Sequence, residues 1–318
     1  MIRILNAEPL NYSGEARHIL QSIGELVELQ PTHAELIALL AGYDVVIVRL
    51  GFQVDRQVID AGHRLRVIVT ATTGLDHVDV EYAARRGIAV LSLRGEIEFL
   101  RTITATAEHT WALLLALVRQ IPHAFSSVCR GEWNRDAHWG HELYGKCLGI
   151  VGAGRIGEQV ARFGLAFGME VVAYDPYCQA VPAYMKRLGT LDELMVVADV
   201  VSLHVPLNYE TAGLIGDREM RNLKKGALLI NTSRGAALDE TSLLQALSSG
   251  RLAGAALDVL SNENPLPTSS PHSLIEYAQT HSNLIITPHL GGATYESMKR
   301  TEVFMAEKLK AFLQGREK

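Results

Sequence analysis

The sequence predicts an α/β fold made of two doubly wound parallel-sheet (Rossmann-like) domains. Short apolar runs alternate with amphipathic stretches through residues 1–100, and a second alternation of the same kind begins at Lys146. Strands of about five residues separated by helical stretches are typical of parallel sheets. The 318 residues of the chain are also about enough for two ordinary domains.

The first alternation predicts five strands and four helices, followed by one long apolar helix from about 104 to 120. We expect that helix to stop at Pro122, because proline lacks the N–H group that continues a helix. The segment 132–139 after it, with Trp133 and Trp139, is interpreted either as a subunit contact or as a loop packed on its own domain. The strands are expected at 2–5, 26–29, 45–48, 67–69 and 88–91, and the helices near 14–23, 32–41, 54–61 and 79–86.

The second alternation predicts six more strands and a helix at the end of the chain. Asp239 is expected to cap a helix over 240–248 that Gly250 ends, and the last helix is expected over about 294–313. The Pro- and Ser-rich stretch 265–272 is predicted to be a long loop. The strands are expected at 148–151, 170–174, 200–203, 227–231, 253–258 and 284–287.

Composition and charge exclude several classes of protein. Hydrophobic residues make up 48% of the chain and charged residues 20%, which is a globular balance. The net charge of −5 gives no indication of a nucleic-acid or anionic-membrane surface. Cys129, Cys147 and Cys178 form no CxxC pair, so we expect no disulfide framework and no metal site. The start of the chain resembles a strand and not a signal peptide, so we expect a cytoplasmic protein.

A glycine-rich loop predicts a dinucleotide site at the start of the second alternation. Gly152, Gly154 and Gly157 form the pattern G-x-G-x-x-G directly after the strand 148–151. The first glycine permits a tight turn, the second lets backbone N–H groups approach a pyrophosphate, and the third lets helix and strand pack closely.

An acidic residue at the end of the next strand makes this prediction more specific. Asp175 ends the strand 170–174 and lies 18 residues beyond Gly157, where an acid hydrogen-bonds the adenosine ribose and repels a 2′-phosphate. The cofactor is therefore predicted to be NAD in preference to NADP. The alternative is a purely structural turn in which Asp175 caps a helix.

Four charged residues follow predicted strands in the second half of the chain. Arg234 comes after strand 227–231, Asp258 ends strand 253–258 with Glu263 in the loop beyond it, and His289 follows strand 284–287. Because the carboxyl ends of parallel strands meet at one edge of the sheet, we expect the four side chains to face one crevice.

These residue types suit the reduction of a 2-oxo acid. Arg234 provides a planar cation that binds a carboxylate in two places, and His289 provides a proton donor that titrates near neutral pH. Glu263 would stabilise the imidazolium and fix its tautomer. Each residue alone is more often structural, but the combination after a dinucleotide loop favours catalysis.

The ordered motifs of the chain resemble the D-isomer-specific 2-hydroxyacid dehydrogenase family, especially its phosphoglycerate dehydrogenase-like members. The resemblance extends over nearly the whole chain. It is carried by the segments 73–79 (Thr-Gly-Leu-Asp-His-Val-Asp), 152–157, 204–207 with Thr211, 231–235, 255–263 and 288–292.

The resemblance implies a role for each matching residue. It implies a catalytic trio of Arg234, Glu263 and His289. It implies that the backbone of Thr73, Gly74 and Leu75 receives the substrate carboxylate. The cofactor residues that it implies are Arg155 and Ile156 at the pyrophosphate, Val205 and Pro206 beside the adenosine, Thr232 and Ser233 near the nicotinamide ribose, Asp258 at the carboxamide, and Gly291.

The resemblance also implies how the chain is organised. The substrate domain is expected to be discontinuous, with residues 1–102 and 291–318, and the NAD-binding domain is expected over 103–290. A homodimer is expected around the helix 104–120 and the loop 132–139. Two segments depart from the family pattern, because Arg94–Thr102 replaces an Asn-rich turn and the loop 264–282 is longer than usual. The chain ends soon after its last helix, so we expect no feedback by an appended regulatory domain.

Arg49 suggests the kind of substrate. It directly follows the strand 45–48, so we expect it to face the crevice near the far end of the substrate, with Arg101 as a second cation. This favours a substrate with a second anionic group. The alternative is that Arg49 pairs with a local acid such as Asp44 or Asp55.

Three rival functions compete with this prediction. Formate dehydrogenases of this fold pair the histidine with glutamine, so Glu263 argues against that activity. Phosphite oxidation on the same scaffold stays open, because its enzymes keep a similar trio. An NAD(H)-sensing scaffold or corepressor-like dimer also stays open, although such relatives usually add long tails.

Overall fold

The computed structural model describes residues 1–263 and 272–316. The chain divides into two compact units, one of residues 1–103 and 293–318 and the other of residues 104–292. We call them the first and the second unit. The long loop predicted at 265–272 lies outside the described residues except for its last position.

The first unit is a parallel five-stranded sheet in the order β2-β1-β3-β4-β5. Every residue of β3 and β4 is buried, as expected of central strands that are covered on both faces. The last helix, α13, packs against α1, so the C-terminal residues complete this unit. Its elements are β1 (Arg3–Asn6), α1 (Gly14–Gln21), β2 (Glu25–Glu28), α2 (His33–Leu39), β3 (Val45–Val48), α3 (Arg56–Ala61), β4 (Val67–Thr70), α4 (Val80–Arg85), β5 (Ala89–Leu91), α5 (Ile97–Arg101) and α13 (Tyr295–Arg316).

The second unit is a parallel seven-stranded sheet in the order β12-β11-β10-β9-β6-β7-β8. Together the two sheets confirm the predicted fold class. The elements of this unit are α6 (Ala105–Val118), α7 (Ile121–Cys129), β6 (Cys147–Val151), α8 (Arg155–Ala166), β7 (Glu170–Tyr174), β8 (Lys186–Arg187), α9 (Leu191–Val197), β9 (Val200–Leu203), α10 (Asp217–Asn222), β10 (Ala227–Asn231), α11 (Glu240–Ser248), β11 (Leu252–Leu257), α12 (Ser273–Thr280) and β12 (Leu284–Ile286).

Two helices and one short strand differ from the expectations. Pro122 does not end the helical region but lies in the first turn of α7. In the first turn a backbone N–H group has no partner within the helix, so proline is tolerated there. The break between α6 and α7 is made by Gln120, whose φ is 51°. The stretch 264–282 is not loop throughout, because α12 occupies its second half. The strand β8 is a two-residue edge strand and had no apolar run to reveal it.

Helix α6 packs deep in the second unit. The Trp111 ring stacks on Phe167 with centroids 4.6 Å apart, and its Nε1 donates to the Val160 carbonyl over 3.0 Å. Among the described residues, no single helix is long and apolar enough to span a bilayer. The segments Ile97–Val118 and Ile121–Cys129 meet that test of length and composition only as a pair, and the pair is bent by 63°.

Candidate active site

Three neighbouring strands of the second unit place the predicted trio at one edge of its sheet. Arg234 follows β10, Glu263 follows β11, and His289 follows β12, and these strands are adjacent and parallel. The prediction that the carboxyl ends of these strands gather charged side chains therefore holds for this unit.

His289 and Glu263 form a direct contact. The imidazole Nδ1 lies within hydrogen-bonding distance of Glu263 Oε1, while Oε2 accepts the backbone N–H of Leu260 at 3.1 Å. Because a carboxylate only accepts hydrogen bonds, Nδ1 carries the proton in this contact, which leaves Nε2 for a ligand. The two side chains are 25% and 24% exposed, so the pair remains accessible.

Asp258 holds the turn on which His289 stands. Its carboxylate accepts the backbone N–H groups of Leu290 and Gly291, both at 2.7 Å, and the hydroxyl of Thr287 at 2.6 Å. The imidazole Nε2 of His109 on α6 lies 3.1 Å from the same carboxylate. Burial alone would raise the pKa of Asp258, but these four hydrogen bonds outweigh it and lower the pKa.

These contacts bear on the roles expected of Asp258 and His109. Asp258 is 1% exposed and surrounded by protein donors, so its observed contacts are with the turn and with His109. Binding of a cofactor carboxamide by Asp258 stays a prediction. His109 lacks any distinguishing signal in the sequence, where it is one of twelve histidines.

The turn that carries Arg234 is organised by a buried asparagine. Asn231 is fully buried, accepts from both the backbone N–H and the hydroxyl of Ser233, and donates to the carbonyl of Arg234 over 2.9 Å. The hydroxyl of Thr232 lies 2.8 Å from that of Thr110 on α6. A Cβ at Gly235 would lie 2.0 Å from the carbonyl carbon of Leu260, so only glycine lets this turn pack against the chain that leads to Glu263.

The glycine-rich loop has the shape that a pyrophosphate requires. Gly152 has a φ of 93°, and a Cβ at Gly157 would lie 2.1 Å from the Gly152 carbonyl oxygen. Beside Gly154, in contrast, there is open space. Helix α8 begins there without a side-chain cap, and the N-terminus of a helix favours an anion.

Asp175 lies beside this loop. Its carboxylate accepts the N–H of Ala153 at 3.0 Å and that of Tyr177 at 2.9 Å. No helix begins at Asp175 in the described chain, so it is not the helix cap of the alternative interpretation. An acid at this strand end and an open glycine loop fit the adenosine and the pyrophosphate of NAD.

The other predicted cofactor residues of the second unit lie near this loop or in the turns described above. Burial lowers the pKa of Arg155, which is the first residue of α8. Ile156 and Val205 are partly buried against the core, and Pro206 accepts the hydroxyl of Thr211 at 2.6 Å. Ser233 and Gly291 belong to the Arg234 and His289 turns described above.

In the first unit, Arg49 has a partner that the sequence did not suggest. Its guanidinium pairs with Glu302 of α13 and donates to the Leu10 carbonyl over 3.0 Å. Neither expected acid is its partner, because Asp44 accepts from Arg3 and Arg64 and Asp55 caps α3. Arg49 therefore pairs with an acid, but with one that is distant in the sequence and not local.

The loop 73–75 offers three backbone donors. The N–H groups of Thr73, Gly74 and Leu75 make no hydrogen bond to another backbone group among the described residues. A relay behind the loop holds it in place, because Thr72 Oγ1 donates to the Gly74 carbonyl over 2.8 Å and lies 3.0 Å from the buried Thr70 hydroxyl. The imidazole of His77 lies 3.2 Å from Thr70 and extends the relay, which the sequence did not reveal.

Comparisons with known proteins by family model, by sequence and by structure lead to the same family. Residues 111–291 match the family model described as D-isomer specific 2-hydroxyacid dehydrogenase, NAD binding domain. Over 99% of its length the chain is 39% identical to the D-3-phosphoglycerate dehydrogenase of Methanocaldococcus jannaschii and 36% identical to that of Bacillus subtilis. It spans 58% of the length of each of these two relatives.

Solved structures match over almost their whole length. A protein from Thermus thermophilus superposes with a TM-score of 0.86 at 37% identity, covering 99% of this chain and 97% of that one. The D-lactate dehydrogenase of Aquifex aeolicus, complexed with NAD and lactic acid, gives a TM-score of 0.84 at 28% identity, with 98% and 96% covered.

Proposed function

The chain belongs to the D-isomer specific 2-hydroxyacid dehydrogenase family, and we propose on that basis that it is an NAD-dependent oxidoreductase. It interconverts a small D-2-hydroxy acid and the corresponding 2-oxo acid. The observation that carries the proposal is the His289–Glu263 pair, which stands beside Arg234 in the same unit as the glycine-rich loop.

In the direction of reduction, Arg234, His289 and Glu263 of the second unit have separate roles. Arg234 binds the substrate carboxylate and polarises the carbonyl. His289 donates the proton of Nε2 to the carbonyl oxygen, and Glu263 stabilises the imidazolium that precedes this step. NAD(H), when bound, supplies or accepts the hydride. In the direction of oxidation, His289 takes the hydroxyl proton back.

The cofactor is held by the glycine-rich loop and by Asp175. The open space beside Gly154 and the uncapped N-terminus of α8 support pyrophosphate binding there, and Asp175 supports a ribose with a free 2′-hydroxyl. The roles of Val205, Pro206, Thr232, Ser233 and Gly291 follow from the family resemblance. In the first unit, the free N–H groups of the loop 73–75 support a contact with the substrate carboxylate.

Within this substrate class, the sequence relatives favour a phosphorylated acid. The relatives at 36–39% identity are D-3-phosphoglycerate dehydrogenases, which act on a substrate with a second anionic group. Arg49, the cation expected to bind that group, is engaged by Glu302. A purely monocarboxylic substrate, as in the D-lactate dehydrogenase neighbour, is the second candidate.

A substrate panel tests the proposal. NADH oxidation is followed with phosphohydroxypyruvate, hydroxypyruvate, pyruvate, glyoxylate, 2-oxoglutarate and phenylpyruvate, and the Arg234→Ala variant provides the background rate. We expect turnover of at least one 2-oxo acid well above that background. NADH binding without turnover of any member would contradict the enzyme and favour an NAD(H)-sensing scaffold.

We also propose that the protein forms a homodimer through α7 and the following segment 132–139. Ile121, Phe125 and Val128 follow each other at helical spacing on α7 and are exposed, Phe125 by 70%. Trp133 and Trp139 are exposed nearby in sequence. Helix α6 was expected to form the centre of this contact, but its apolar side chains are buried in their own unit.

Sedimentation velocity tests the dimer. Phe125→Asp should convert a wild-type dimer into a monomer with unchanged far-UV circular dichroism, whereas Val196→Asp, at an exposed apolar position on α9, should not. A wild-type monomer at micromolar concentration would contradict the proposal.

The three free cysteines support a reducing compartment, which we infer to be the cytoplasm.

A further inference from the structure

The turn that carries His289 has an uncommon backbone conformation. His289 has a φ of 55°, in the left-handed region that residues other than glycine seldom adopt. Its N–H group donates to the carbonyl of Asp258 over 2.8 Å and to that of Thr287 over 3.0 Å. Such a conformation persists only where the surrounding contacts hold it.

The contacts that hold the turn meet at the carboxylate of Asp258. One oxygen accepts the N–H of Leu290 and the hydroxyl of Thr287, and the other accepts the N–H of Gly291. The residues on both sides of His289 are thus fastened to one buried group.

The remaining contact comes from another element of the unit, helix α6. The Nε2 atom of His109 lies 3.1 Å from Asp258 Oδ1 and 3.0 Å from Thr287 Oγ1. The Thr287 hydroxyl has one hydrogen and donates it to Asp258, and a carboxylate only accepts. Nε2 of His109 therefore carries a proton and shares it between these two oxygens.

Helix α6 supports this edge of the sheet at a second point. The neighbouring residue Thr110 donates to the Thr106 carbonyl over 2.7 Å and so accepts from the Thr232 hydroxyl, two residues before Arg234. A Cβ at Gly291 would lie 3.3 Å from Thr106, which shows how closely α6 packs on the turn. The same turn of α6 thus contacts the segments that carry both proposed catalytic residues.

We propose that His109 is a positioning residue, which holds the His289 turn in its left-handed conformation by donating one hydrogen bond to Asp258 and Thr287. The inference rests on the proposed function only in its kinetic consequence. Without this N–H group, Asp258 and Thr287 each lose one donor and the turn loses its hydrogen bond to α6. The imidazole of His289 would then be less well placed for proton transfer, while the glycine-rich loop is untouched.

The test uses matched substitutions at His109. His109→Gln keeps an N–H donor at about the position of Nε2, whereas His109→Leu removes the donor. In His109→Asn the side chain still has an N–H donor but is too short to reach Asp258 and Thr287. We expect kcat to fall about 10- to 100-fold in the Leu and Asn variants, the range for a misplaced catalytic group. The Gln variant should recover most of the loss, with far-UV circular dichroism unchanged in all three. If the Gln variant falls as far as the Leu variant, the donated hydrogen bond is not the cause and the inference is wrong.

Amide hydrogen exchange gives a readout that needs no activity. The amides of Leu290 and Gly291 should exchange at least tenfold faster in His109→Leu than in wild type, while amides of β6 keep their rates. Unchanged exchange at both amides would overturn the inference even if the enzyme is active, and faster exchange would support it even if no substrate turns over. Should His109→Leu fail to fold, His109→Asn against His109→Gln gives the same comparison, with the same two outcomes.

Discussion

Each unit carries an ion pair just beyond the end of a parallel strand, and the two pairs differ in the exposure of the carboxylate. In the first unit, Arg49 after β3 pairs with Glu302, and their side chains are 21% and 1% exposed. In the second unit, His289 after β12 pairs with Glu263, and each side chain is about one-quarter exposed. The carboxylate of the second pair is accessible to a ligand, whereas that of the first pair is buried in its own unit. A charged residue at a strand end is thus a candidate for function only when its counter-ion leaves it accessible.

The surroundings of Arg49 explain why its pair is enclosed. Its backbone N–H is held by Glu8, which also accepts the N–H of Gly51 at 3.1 Å, and its guanidinium lies 5.6 Å from the Tyr12 ring centre. Burial raises the pKa of Glu302, although the hydrogen bond from Ser13 and the charge of Arg49 pull it down. Arg49 therefore offsets the cost of desolvating the Glu302 carboxylate and is not a free cation.

The largest expected effect is the loss of His289. His289→Ala should lower kcat by about 10²–10⁴-fold, because a positioned acid–base group is removed. His281→Ala, an exposed histidine at the end of α12, is the control and should keep wild-type kcat. Steady-state kinetics together with thermal melting separates the effect from misfolding. A loss of less than tenfold in His289→Ala would show that the accessible pair is not catalytic.

The second effect concerns stability. Arg49→Ala should lower the free energy of unfolding by about 3 kcal/mol, because removing one partner leaves a buried carboxylate uncompensated. Glu302→Gln should cost less, because it removes the charge that burial disfavours. Urea unfolding monitored by circular dichroism measures both. A selective loss of activity on phosphohydroxypyruvate relative to glyoxylate, without a loss of stability, would instead assign Arg49 to the substrate.

The stability loss in Arg49→Ala should also depend on pH. An unfolded glutamate titrates near about 4.3, and the folded pKa of Glu302 is already raised in the wild type. Without Arg49 it rises further, so stability is retained below the unfolded pKa and declines as the pH rises through the folded pKa. The difference between wild type and variant should therefore grow from pH 4 to neutral pH. A constant difference would mean that Glu302 does not titrate in this range.

The third effect is a displaced pH profile. Glu263→Gln keeps the shape of the side chain but removes the charge that stabilises the imidazolium of His289. The limb of the kcat profile that reports the protonated histidine should move to lower pH, with the melting temperature nearly unchanged. If the profile of the glutamine variant overlays that of wild type, Glu263 does not act on His289.

The sequence predicted the features whose signal lies in neighbouring residues and missed those that depend on residues distant in the chain. The strands β3, β7, β9 and β10 were predicted to the residue, because buried parallel strands appear as apolar runs between turns. The turn residues Arg234 and His289 were found for the same reason. Glu302 was missed because the acid that binds Arg49 comes from the other end of the chain, and His109 because no local pattern separates it from other histidines. Helix α7 was missed because Pro122 was interpreted as the end of a helix, although proline is also common in the first turn of a helix.

The smallest expected effect is at Asp175, a strand-end residue that combines features of both pairs. Like Arg49 it has local partners, but they are backbone N–H groups of Ala153, Tyr177 and Cys178, with no buried counter-ion. Its negative charge therefore remains available to bind ribose hydroxyls and to repel a 2′-phosphate. Asp175→Ala should lower the preference for NADH over NADPH, measured as the ratio of kcat/KM, by about tenfold, since roughly one hydrogen bond to a charged group is lost. Asp192→Ala, an exposed acid on α9, should leave the ratio unchanged. A wild-type enzyme that uses NADPH as well as NADH, or an alanine variant with the wild-type ratio, would show that Asp175 serves only the loop.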